Sequence, residues 1–362
     1  MVREELVRRL NDREYINWLK AGRCLLILKN GLHRFISQHM KSFHADLLNQ
    51  NTVLRKQCVT SCRPRGNKLS GTCMVCAEWQ RVIIKHHRQP DATMNWDNCF
   101  PPAWRTDHWE VAKAYMPRGQ GKVKGADQFD ASALLNLINY CDCFQSVNPK
   151  LVREVIRYRN ELMHSCEMHM KDEWMRCYQI TLRHFVQQFS HVPQMTTAGQ
   201  EINEMLTADL SIRVPGSDRL DSAVSDEFEC DSVHQWETSA DLIGQWEAEL
   251  LQERLQELLY DSDAADDAAT KTQDTEQLRR LAGFLRANGD LGERFSAELQ
   301  AINSLEPCLL LQPAAPLPPS GRTDSGCLPA SQHGAGGGAG PVYVLRENWK
   351  RGHREAAGEV WT

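Results

Sequence analysis

Apolar residues recur at three- and four-residue steps through the first 50 positions, and no segment of the 362-residue chain alternates convincingly with period two. Leu6, Leu10, Trp18, Leu25, Leu32, Phe35 and Leu47 mark the stripe. Such steps match the roughly 3.6-residue turn of a helix and gather these side chains on one face, whereas a half-buried strand needs strict alternation. Gly22 and Gly31 weaken the pattern without ending it, since a lone glycine costs a helix about 1 kcal/mol relative to alanine. The expected fold class is all-α.

The same period predicts helices over 107–116, after Asp130, from Pro149, and from Asp172 to about Phe189. Asp130 is read as an N-cap and Pro149 as a first helical residue, while Pro117-Arg118-Gly119 stops the helix before it. Residues 1–205 form one predicted helical bundle, interrupted at about 51–103 by an insert with five cysteines and little periodicity before Glu78. Residues 206–239 are read as an acidic linker. Residues 240–305 carry two further stripes, one through Leu250 and Leu258 and one through Leu281 and Ile302. They are long enough for a helical hairpin or short coiled coil, a surface for a protein partner. The Pro- and Gly-rich 306–362 is expected to be a disordered tail.

The net charge of −5 hides a split. Residues 1–200 carry 29 Lys and Arg against 18 Asp and Glu, and residues 201–362 carry 13 against 29. A basic front could meet a polyanion such as RNA; equally, the two halves could screen each other within one molecule. The polar, amphipathic start is not a signal peptide, and the longest apolar run, Cys24 to Leu28, is far too short to span a bilayer. A cytoplasmic or nuclear protein, neither secreted nor membrane-bound, is expected, with its 13 cysteines mostly thiols or metal ligands.

Cys58, Cys62, Cys73 and Cys76 form two close pairs, the arrangement that suits tetrahedral zinc in a structural site. Cys99 is the alternate ligand, able to fold back after the turn at Trp96 and replace a member of the first pair. The competing reading is scattered buried thiols. Around these cysteines Arg63, Arg65, Lys68, Arg81 and Lys85 are candidate RNA-binding residues, with Trp79 and Trp96 near enough to stack a base; a solvated charged loop is the simpler alternative.

The segment Arg159-Asn160-Glu161-Leu162-Met163-His164 supplies the candidate catalytic residues Arg159, Asn160 and His164. An arginine fork can hold a phosphate and a histidine can move a proton near neutral pH. With the RNA 2′-hydroxyl as nucleophile, that set could cut RNA without a metal. Arg159 and His164 are expected to flank one edge of their helix and reach a common cleft. The alternative is an arginine paired to a neighbouring acid and a histidine resting at a helix C-terminus.

The order of these features resembles the HEPN superfamily, most of all the branch found in the DAZ-interacting zinc-finger protein. The matching pieces are Ala21 to Leu26, Trp109 to Lys113 before a Pro-Gly turn, Phe129 to Leu135, and Tyr158 to Ser165. Residues 1–305 are also similar to an uncharacterised vertebrate family named for an open reading frame on the human X chromosome, through Cys76-Ala77-Glu78-Trp79 and Trp109 to Gly119. The HEPN resemblance implies an R-x(4)-H motif near a helix end, with two protomers pairing so that both motifs line one cleft. It implies a metal-independent endoribonuclease acting as a homodimer. Many HEPN domains are instead inactive and serve in dimerisation or RNA binding, which makes a non-catalytic scaffold the alternative.

Overall fold

The computed structural model describes residues 2–89, 94–123, 125–165, 167–210, 229–264 and 268–310. Among these every regular element is a helix, and the only bridges of strand type are two isolated ones, Arg65 with Lys68 and His87 with Cys141. Residues 1–311 form one compact unit. The acidic-linker reading falls mostly, and the tail reading almost wholly, outside the described residues.

The N-terminal stripe is two helices. Helix α1 (Val2–Arg9) stops short of Asp12, whose side chain accepts from the N–H groups of Glu14 and Tyr15 and starts α2 (Arg13–Gln50). At 38 residues α2 is about 57 Å long and forms the spine of the bundle. Its neighbours are α4 (His108–Ala112), α5 (Ala131–Tyr140), α6 (Pro149–Met163), α7 (Asp172–Gln187), α8 (Pro193–Thr207) and α9 (Glu229–Ala264). A spine surrounded in this way buries more than one stripe, which is why Trp18, Leu19, Leu28 and Ile36 are all excluded from water.

Gly22 and Gly31, which weaken the helical pattern, are where neighbours come closest. A Cβ on Gly31 would lie 2.7 Å from the Cβ of Ala198 on α8, and one on Gly22 would meet the Leu250 side chain on α9 at 2.1 Å. Helix α8 has no counterpart among the sequence expectations, although Pro193 sits at its first turn and Met195, Ala198 and Ile202 make its buried face.

The expected caps are present: Asp130 accepts from Ala133 N–H to open α5, and Asn148 accepts from Lys150 N–H ahead of Pro149 at the start of α6. After α9 come α10 (Ala268–Ala287), α11 (Gly289–Arg294) and α12 (Ser296–Leu310). Helix α9 begins within the segment read as a linker. The apolar stripes of this C-terminal segment, including Leu251, Leu255, Leu281 and Leu285, are buried within the unit.

Candidate functional site

The second half of the insert belongs to the core. Helix α3 (Met74–Lys85) is amphipathic and buries Trp79, Val82 and Ile83. The Trp79 indole stacks on His44 of α2 at 5.7 Å and lies near Trp104. The loop before α3 reverses at Ser61, Gly66, Asn67 and Gly71, all with positive φ.

Those reversals bring Cys58, Cys62, Cys73 and Cys76 together, with every sulfur within 4.8 Å of every other. The Sγ atoms of Cys73 and Cys58 are 3.8 Å apart. Four ligands at about 2.3 Å from one zinc ion would be separated by about 3.8 Å, so the spacing fits a tetrahedral ion. Cys73 is the N-cap of α3 and Cys76 lies in its first turn, where the helix dipole favours thiolate. Burial resists charge on Cys73, but N–H donors from Cys76 and Val59 and the nearby thiols outweigh it and bring its pKa down to about 6. Burial, with the Cys58 and Cys73 sulfurs close by, pushes Cys76 up. Crowded thiolates repel one another, and a divalent cation removes that repulsion. Backbone N–H of Cys73 also donates to Cys62 Sγ at 3.2 Å, an outer contact of the kind that orients a metal ligand. The four cysteines can therefore hold a metal ion. Cys99 is not among them; it is buried beyond the Trp96 turn, and burial pushes its thiol up.

The five basic candidates Arg63, Arg65, Lys68, Arg81 and Lys85 all lie on the surface. Arg81 is tied to Glu78 of its own helix at 2.6 Å, an exposed pair. The expected stacking partners are not available: Trp79 is 1% exposed and Trp96 6%. Both indoles serve the core because α3 and the Trp96 turn pack inward. The aromatic ring open to solvent here is Phe100, 40% exposed, with the Arg63 guanidinium 5.1 Å from its centre.

The R-x(4)-H segment closes α6. Arg159 is only 1% exposed. It binds Glu257 at 2.5 Å and Asp130 at 3.2 Å and lies 3.5 Å from Glu253. Three carboxylates thus face one guanidinium. Burial, then the Asp130 charge, raises the pKa of Glu253. His164 is exposed, as the C-cap of α6, with Nδ1 2.9 Å from Gln277 Oε1 on α10. Asn160 is exposed and its carbonyl accepts from His164 N–H. The expectation that Arg159 and His164 reach one cleft is therefore corrected. The reason is burial: α9 covers Arg159, while His164 stays exposed against α10.

The partners of Arg159 escaped the sequence reading, because Glu253 and Glu257 lie almost 100 residues away on α9. The one local signal is their i,i+4 spacing beside Leu250, Leu251, Leu255 and Leu258, which puts two acids at the edge of a buried stripe. A second such cluster seats α9 on the N-terminus. Arg9 binds Glu247 at 2.7 Å and Asp290 at 2.8 Å, and Tyr15 donates to Glu247 at 2.6 Å. Acidic groups of the rear half thus pair with arginines of the front half inside one unit.

Residues 9–311 match the family described as a domain of unknown function, DUF4559. A mouse protein named "Uncharacterized protein CXorf38 homolog" is 40% identical over 309 residues, 84% of this chain and 93% of that one. No solved structure matches the chain. The matched span takes in the four-cysteine loop, the R-x(4)-H helix and the C-terminal helices alike.

Proposed function

We propose that this chain, which belongs to the DUF4559 family, is a non-catalytic interaction module: a HEPN-like helical bundle whose insert is stapled by one structural zinc ion. The observation that carries this reading is the burial of Arg159 among Asp130, Glu253 and Glu257. The guanidinium is already held by carboxylates, which a phosphodiester would have to displace. His164 is engaged in turn with Gln277 of α10, its Nδ1 2.9 Å from Oε1. Arg159 and His164 then act as anchors that fasten α9 and α10 to the bundle. The four-thiol set leaves no open coordination position, which suits a structural ion rather than a catalytic one.

The test is a nuclease assay on single-stranded and structured RNA in the presence of a chelator too weak to strip the thiol site. The expected result is no cleavage above that of an Arg159→Ala/His164→Ala double variant. Cleavage by the wild type that yields cyclic-phosphate ends and vanishes in His164→Ala would overturn the reading in favour of the metal-independent endoribonuclease.

A further inference from the structure

Next to the metal-binding loop lies an open cleft of about 770 Å³. Its walls are Arg63 and Pro64 from that loop, Phe100 after the Trp96 turn, and Gly119 to Lys122 beyond α4. Two features set it apart from an ordinary surface depression. Phe100 shows a flat apolar face to solvent beside a guanidinium. Arg63 and Lys122 also put exposed basic side chains in its lining, and the loop that supplies Arg63 is basic. Between residues 47 and 77 the chain carries Arg55, Lys56, Arg63, Arg65 and Lys68 and no aspartate or glutamate.

The acidic groups of the cleft are already engaged. Glu110 binds Lys113 Nζ at 2.5 Å and accepts from Phe100 N–H at 2.7 Å, and Asp97 accepts from Asn67 N–H at 2.6 Å. Lys113, almost fully buried, offsets Glu110. Arg63 and Lys122 remain at the mouth as exposed cations. The walls are held in place: buried Asn98 donates to the carbonyls of Lys113 and Pro117 and accepts from Gln120 N–H, fixing the 117–122 loop to the Trp96 turn. A preformed cleft costs little to order on binding.

We propose that this cleft binds one or two nucleotides of a single-stranded nucleic acid, a base lying on Phe100 and the backbone phosphates meeting Arg63 and Lys122. An aromatic face flanked by cations is the combination that single strands use, since every base has a π face and every linkage a charge. An acidic peptide would satisfy the cations but leave the exposed ring without a planar partner. The inference rests on the interaction-module reading and names its partner, and it does not involve Arg159 or His164.

The experiment is fluorescence anisotropy on the full-length, metal-loaded protein with labelled twelve-residue oligouridine and oligothymidine. Unlabelled inorganic polyphosphate and a polyglutamate peptide serve as competitors. Binding to one or both oligonucleotides is expected, the RNA and DNA arms showing whether the 2′-hydroxyl matters, with affinity falling as salt rises. Phe100→Ala should weaken it roughly ten-fold. Lys122→Glu should weaken it further, whereas Arg183→Glu, at an exposed position of α7, should leave it unchanged. Unaltered metal content and melting temperature would show the variants to be folded. Equal affinity of wild type and Phe100→Ala, displacement by polyphosphate at equal phosphate concentration, or binding of polyglutamate alone would each overturn the proposal. RNA cleavage would instead overturn the interaction-module reading, so the two failures are distinguishable.

Discussion

Arg159 Nη1 lies 2.5 Å from Glu257 Oε1, joining α6 to a helix 98 residues further along the chain. The contact fixes the C-terminal segment on the bundle and withdraws the motif arginine from solvent.

Arg159→Ala should lower the unfolding free energy by about 3 kcal/mol, because it leaves three half-buried acids facing one another without their cation. Adding Glu253→Gln and Glu257→Gln should recover part of the loss. Chemical denaturation of the single and combined variants checks this, and strict additivity would show that the groups do not interact.

The pH dependence follows from two acids of opposite behaviour. Glu253 has its pKa raised in the folded protein, chiefly by burial, so its ionisation weakens the fold as pH climbs above the ordinary glutamate range. Glu253→Gln should therefore gain stability relative to wild type as pH rises from about 4.5 towards neutral. Burial works against ionised Asp290, but the Arg9 hydrogen bond prevails and lowers its pKa. Its contribution is present above the ordinary aspartate range and lost as pH falls through the lowered value. Asp290→Asn should accordingly cost most near neutral pH and little in acid. Melting temperatures of the two variants across pH 3–8 should run in opposite directions.

Removal of the metal should loosen the loop around residues 56–76. Purified protein should contain about one zinc per chain, and Cys76→Ser should lose it and lower the melting temperature by roughly 5 °C. Among the nine cysteines whose burial is described, Cys177, exposed on α7, should react first with a thiol reagent in the native protein. Cys24, whose thiol burial pushes up to about 12, should stay protected. A chelator should add four reactive thiols, those of Cys58, Cys62, Cys73 and Cys76; unchanged labelling would argue against a bound ion.

Gly31→Ala should destabilise by about 1–3 kcal/mol through overpacking, since the new methyl would lie 2.7 Å from Ala198 Cβ. Introducing Ala198→Gly alongside should relieve the clash. Thermal unfolding of the single and double variants reads the difference.

The all-helical class was legible in the sequence, because one helix turn repeats the apolar spacing wherever a helix must bury a face, and caps such as Asp130 and Asn148 act within three residues of themselves. The thiol site was legible for a similar reason. Cys73 and Cys76 are neighbours on one turn, and metal ligands of this kind come in pairs close in sequence. Periodicity, however, says which side of a helix is apolar without saying what covers it. Trp79 and Trp96 pass for stacking surfaces in the sequence, and only the packing of α3 against His44 and Trp104 turns the Trp79 indole inward. Gly22 and Gly31 count against a helix by propensity, whereas the close approach of α9 and α8 gives each its reason.

Arg159 shows the division most plainly. Its charge, its place near the end of α6 and its distance from His164 along the chain are properties of the sequence alone. Whether it meets a phosphate or a carboxylate was decided by α9, whose glutamates reach it from almost 100 residues away. Electrostatic partnership depends on distance in space, which a helical period does not encode, so the partners of Arg159 became visible only when the tertiary structure brought Asp130, Glu253 and Glu257 around it.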